Sequence, residues 1–83
     1  MELSEHARDM LLERAIPEEW VWRVLKSPDK KRMGSDGNLH YTKAIKERDR
    51  RVLRVIVSPN TQPNRVVTVF FDRRLQQTIR KQK

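Results

Sequence analysis

The chain has 83 residues, a formal net charge of +8, 36% hydrophobic residues and no cysteine. That length supports one domain, residues 1–83, with a thin core. The lack of thiols excludes a disulfide framework and a thiolate metal site, and no apolar run is long enough for a bilayer span or a secretory leader, so a cytoplasmic protein with no membrane partner is expected.

In chain order, Leu3, Ala7, Met10 and Leu11 recur at helical spacing. They predict an amphipathic helix over residues 3–14, with Ser4 as N-cap and Glu5 favouring the dipole. Ala15-Ile16-Pro17 breaks it, because the residue before a proline is pushed out of the helical region. A second helix is predicted from Pro17 to Lys26, with Glu18 and Glu19 at its positive end and Trp20, Val21, Val24 and Leu25 as its buried stripe. Trp22 lies off that stripe and offers a second contact surface. Residues 29–38 are polar and carry the turn signal Gly34-Ser35-Asp36-Gly37-Asn38. Strands are then predicted over 39–46, 52–58 and 65–71, joined by the charged connection 47–51 and the proline-bearing loop 59–64. Asp72 is placed to cap a short C-terminal helix that ends in the basic tail Arg80-Lys81-Gln82-Lys83.

Helices followed by strands predict an α+β fold: two N-terminal helices on one face of a three- to four-stranded antiparallel sheet, with a short C-terminal helix. Alternation puts Leu53, Val55 and Val57 with Val67, Val69 and Phe71 on the helix-packed face. Val52, Arg54, Ile56, Val66, Thr68 and Phe70 are left on the other, uncovered face. Arg54 is the anomaly. A guanidinium among β-branched neighbours is costly to desolvate unless an internal carboxylate or an external anion meets it, and the expectation is the external anion.

The charge is also uneven. Residues 1–25 carry a net −3 and residues 26–83 a net +11. The basic two-thirds points to a polyanion partner, nucleic acid first. A plain solvated basic surface, or an acidic protein that masks the basic face, fits the same charge.

The opening Leu3-Ser4-Glu5-His6-Ala7-Arg8-Asp9-Met10, continuing to Ala15-Ile16-Pro17, resembles a small bacterial family, domain of unknown function 4258. Pro28-Asp29, Tyr41, Leu53-Arg54-Val55-Ile56-Val57 and Val66-Val67-Thr68-Val69-Phe70-Phe71 extend the resemblance over residues 3–74. That family is similar to the RelE-like and barnase/EndoU/colicin group of RNase folds, many of whose relatives are thought to be toxins. The resemblance implies catalytic roles for His6, Arg14, Arg54 and Thr68. It departs from the family pattern at Ala15 (usually glycine), Pro17 (usually Ser/Thr) and Phe70, where a tyrosine is common and an acid/base hydroxyl is lost.

Metal-free RNA cleavage needs a base for the 2′-OH, cations for the phosphorane and an acid for the leaving oxygen. His6 suits the base or acid role, or else locks the first helical turn through a backbone carbonyl. Arg14 either projects toward a phosphate, closes its helix C-terminus, or pairs with Asp29. Arg54 with Thr68 forms a phosphate clamp, against the reading of an internal ion pair beside an ordinary strand threonine. Tyr41 and Lys43 are expected on the same face as a stacking ring and a phosphate donor. Arg48, Arg50, Arg51, Arg73 and Arg74 are expected to bind nucleic-acid backbone or to be simple surface. His6 and His40 are too few for a metal site, and no phosphate-binding or dinucleotide glycine motif is present, so no cofactor is expected.

The expected function is therefore a toxin-type, metal-independent endoribonuclease or an RNase-fold RNA-binding protein, with RNA as partner and an acidic antitoxin as its counterpart. The alternatives are a non-catalytic nucleic-acid-binding module, or an interaction protein docking an acidic chain through the uncovered face and Trp22.

Overall fold

Ser4 opens the first helix as predicted: its Oγ accepts from the Ala7 N–H at 3.0 Å, satisfying a donor the helix itself leaves unpaired. The computed structural model of the chain describes residues 1–75. Within them run β1 (Glu2–Leu3), α1 (Glu5–Glu13), α2 (Glu18–Lys26), β2 (Lys30–Met33), β3 (Leu39–Ile45), a 3-10 turn at Lys46–Arg48, β4 (Arg51–Ser58) and β5 (Arg65–Phe71). Residues 73–75 are helical. The remaining span expected to be a C-terminal helix, with the tail Arg80-Lys81-Gln82-Lys83, lies outside the described residues.

The fold is α+β, with one sheet in the order β1-β5-β4-β3-β2. The antiparallel meander β3-β4-β5 is the expected one, but the sheet has five strands and is mixed. β1 adds to β5 in parallel, and β2 adds to β3 antiparallel. Both additions escaped periodicity for a physical reason. β1 is two residues long, and Lys30-Lys31-Arg32-Met33 is an edge strand exposed on both faces, so it has no apolar side to alternate.

α1 packs over β5, and α2 packs over β3 and β4, on one face of the sheet. The core between the layers holds Ala7, Leu11, Ile16, Trp20, Val21 and Val24 against Tyr41, Ile45, Leu53, Val55, Val57, Val66 and Val69. A register shift between Ile56 and Val57 pairs Val57 with Val66 and leaves Val67 as the extra residue. Hence Val66, not Val67, is the buried residue at the start of β5, although Val69 and Phe71 face the core as alternation predicts.

α1 ends in a Schellman motif. Ala15 N–H bonds the Leu12 carbonyl, and Ile16 N–H bonds the Leu11 carbonyl, while Leu11 and Ile16 are both buried. Ala15 takes the left-handed conformation that this cap requires, with φ 52°. No helix among the described residues is long and apolar enough to cross a membrane.

Candidate functional site

Cross-strand pairing decides what Arg54 meets. It stands opposite Thr42 on β3 and Phe70 on β5, and Thr42 in turn stands opposite Lys30 on β2. One pair further along, Ile56 faces His40 and His40 faces Arg32. Residues directly opposite one another share a face. Lys30, Arg32, His40, Thr42, Arg54, Ile56, Thr68 and Phe70 therefore occupy the face away from the helices.

The guanidinium of Arg54 is anchored internally. Its Nε and Nη2 donate to Asp72 Oδ2 at 3.0 and 2.8 Å, with the two side chains only 13% and 7% exposed. The other oxygen of Asp72 accepts from the backbone N–H groups of Arg74 and Leu75, capping the turn at residues 73–75. Burial pushes the Asp72 carboxyl up, but Arg54 and the cap N–H donors outweigh it, and the net direction is below the ordinary carboxylate range. Expectation had leaned to an external anion for Arg54. The internal carboxylate lies just past β5, and only the closing of β4 against β5 reveals it.

Arg54 Nη1 is 3.0 Å from His40 Nδ1. Arginine only donates, so Nδ1 is the acceptor and the imidazole proton sits on Nε2. That nitrogen donates to both Asp36 oxygens, each at 3.2 Å. Asp36 is held below the usual carboxylate range, first by the Asn38 backbone N–H and then by His40. Gly34 makes the pairing sterically feasible, since a Cβ there would fall 2.5 Å from His40 Nε2 and 2.7 Å from Asp36 Oδ1. The result is a continuous polar chain, Asp36–His40–Arg54–Asp72, along the open face.

Two hollows flank this chain. One, of 230 Å³, is lined by Lys30, Arg32, His40, Thr42, Arg54 and Leu75. The other, of 380 Å³, includes Arg32, His40, Arg54, Phe70, Arg73 and Arg74 in its lining. Arg32, His40 and Arg54 border both.

Of the residues singled out from sequence, Arg54, Arg73 and Arg74 come together here. Thr68 shares the face but lies outside the lining of both hollows, and Thr42 is the hydroxyl residue beside Arg54. His6 is exposed on α1, in the layer that covers the opposite face, and does not meet Arg54. Arg14 is exposed and forms the C-cap of α1, while Asp29 instead binds the Ala44 N–H and Lys43 Nζ, at 2.9 and 3.5 Å.

Tyr41 and Lys43 are on the helix-packed side, not the open one: Tyr41 is buried in the core, with Lys31 Nζ 5.3 Å from its ring centre. Alternation alone groups Tyr41 with Lys43, but it cannot say which face of β3 matches which face of β4. Arg48 donates to the Ala15 carbonyl and stacks on Trp20 and Phe71, while Arg51 also lies over Phe71. Arg50 is exposed in the β3–β4 connection, with φ 63°. Lys30, Arg32, Asp36, His40 and Thr42 were not foreseen as one group. Two-residue spacing within a strand pairs Lys30 with Arg32 and His40 with Thr42, but Asp36 lies in the turn between β2 and β3, where no such spacing points to it.

No curated protein and no solved structure matches the chain significantly. The model of one family, described as Domain of unknown function (DUF4258), matches residues 3–71, and the chain belongs to that family.

Proposed function

We propose that this chain is an RNA-acting protein of the RNase-fold toxin type, which takes RNA phosphodiesters on the open face of its sheet. One observation carries the reading. Lys30, Arg32, Arg54, Arg73 and Arg74 converge on two adjoining hollows, and the carboxylates beside them, Asp36 and Asp72, are already engaged by His40 and Arg54. Lys30, Arg32, Arg73 and Arg74 are exposed, so they can follow a phosphate backbone at little desolvation cost. Phe70 on the same face supplies a ring on which an unpaired base can stack, which favours single-stranded RNA. An acidic antitoxin would neutralise this same surface.

The test is fluorescence anisotropy of a labelled single-stranded RNA across a salt series. Wild type is expected to bind with affinity falling steeply with salt, and Lys30→Ala with Arg32→Ala to reduce the log–log slope by about 1.4. No binding at low salt, or a slope unchanged in the double variant, would refute the assignment.

A further inference from the structure

We propose that His40 is the proton acceptor of a metal-free RNA-cleaving centre on the open face, held in its working orientation by Asp36. This rests on the RNA-acting reading above and deepens it, because binding alone requires no titratable group. The geometry around His40 is that of an oriented base. Its Nε2–H is fixed on the Asp36 carboxylate, so the lone pair is at Nδ1, which meets Arg54 Nη1 at 3.0 Å. His40 also borders both hollows, so a phosphodiester seated in either lies beside the ring. The charged groups facing it are Asp36 from the turn, Lys30 and Arg32 from β2, Arg54 from β4, and Asp72, Arg73 and Arg74 after β5.

A phosphate oxygen is a stronger acceptor for a guanidinium N–H than a neutral imidazole. Its arrival draws Nη1 away from His40 and frees the Nδ1 lone pair, while Asp72 keeps the rest of Arg54 in place. Nδ1 then takes the proton of the ribose 2′-OH. The 2′-oxygen forms a bond to phosphorus as the bond from phosphorus to the 5′-oxygen breaks. The departing 5′-oxygen takes a proton from water, and the hydroxide left behind is neutralised by the proton His40 gives up. The products are a 2′,3′-cyclic phosphate and a 5′-hydroxyl end. Arg54 and Arg32 meet the charge that builds on the phosphorane, and Asp36 stabilises the transient imidazolium.

Three features make Asp36 and Gly34 positioning residues rather than bystanders: the two 3.2 Å contacts to His40, the absent Cβ at residue 34, and the Asn38 N–H that fixes Asp36.

The experiment uses the full chain, a doubly labelled single-stranded RNA, excess EDTA, and mass spectrometry of the product ends. Wild type is expected to leave cyclic phosphate ends. His40→Ala is expected to lower the cleavage rate by about 100-fold or more while RNA affinity stays within about threefold. Asp36→Asn is expected to lower the cleavage rate by about tenfold with RNA affinity within about threefold, and the conservative Asp36→Glu to restore part of that rate; a purely structural role would lower rate and affinity together. Thermal melting of each variant establishes that the fold is retained.

Binding without cleavage by wild type overturns the inference and leaves the RNA-binding reading standing. Cleavage that survives His40→Ala, or that is lost in His6→Ala instead, overturns it equally. Absence of binding removes both.

Discussion

Asp72 does two jobs with its two oxygens: Oδ2 holds Arg54 and Oδ1 caps the turn at residues 73–75. Replacing it with asparagine leaves a guanidinium that is 13% exposed without its counter-charge. Breaking a buried pair from one side costs about 3 kcal/mol, and Asp72→Asn is expected to lose that much in urea denaturation at neutral pH. The sign with pH follows from the depressed carboxyl. Its stabilising contribution is complete above the ordinary aspartate value and is lost as pH falls through the lower folded value. The stability gap between wild type and Asp72→Asn is therefore expected to narrow on acidification. Arg54→Ala carries a similar folding cost, so exposed Lys30 and Arg32 are the cleaner probes of ligand binding. At this scale the sequence marked Arg54 as anomalous among its neighbours, but its partner lies 18 residues away.

At the scale of elements, the junction between α1 and α2 is under local strain. Ala15 sits at φ 52°, where a Cβ crowds the backbone and glycine does not. The resemblance to a family with glycine at this position already marked Ala15 as a departure, and the Schellman hydrogen bonds supply the reason. Ala15→Gly is expected to stabilise the protein by about 0.5 to 1 kcal/mol, the relief of strain exceeding the extra freedom of glycine in the unfolded chain. Equilibrium urea denaturation of the two proteins measures it; a loss of stability would contradict the account. The helices were legible because Ser4, Pro17 and the apolar stripes are local signals. β2 was not, because an exposed edge strand buries nothing. Nor was the bulge that exchanges Val66 for Val67 in the core, because it arises between strands rather than within one.

For the whole molecule, charge is unevenly placed. The acidic N-terminal segment forms β1 and both helices, while Lys30, Arg32, Arg54, Arg73 and Arg74 gather on the opposite sheet face. The body is 19 Å through its shortest dimension, and the Debye length at physiological salt is about 8 Å. Charges on the outer surface of the helices are thus screened from a ligand on the sheet. Neutralising the exposed Glu5 and Glu13 to glutamine is expected to change RNA affinity by less than about twofold at physiological salt, with a larger gain at low salt. Anisotropy titrations at the two salt concentrations decide it.

The sequence by itself determined the α+β class, the two helices, the three-strand meander and the basic bias, because caps, proline breaks, periodicity and charge act over a few neighbouring residues. Only the tertiary structure decided which side chains share the site. Strand register set His40 near Arg54 and sent Tyr41 into the core; layer packing put His6 on the other side of the sheet. Alternation sorts a strand into two faces, but only pairing with its neighbours decides which faces coincide.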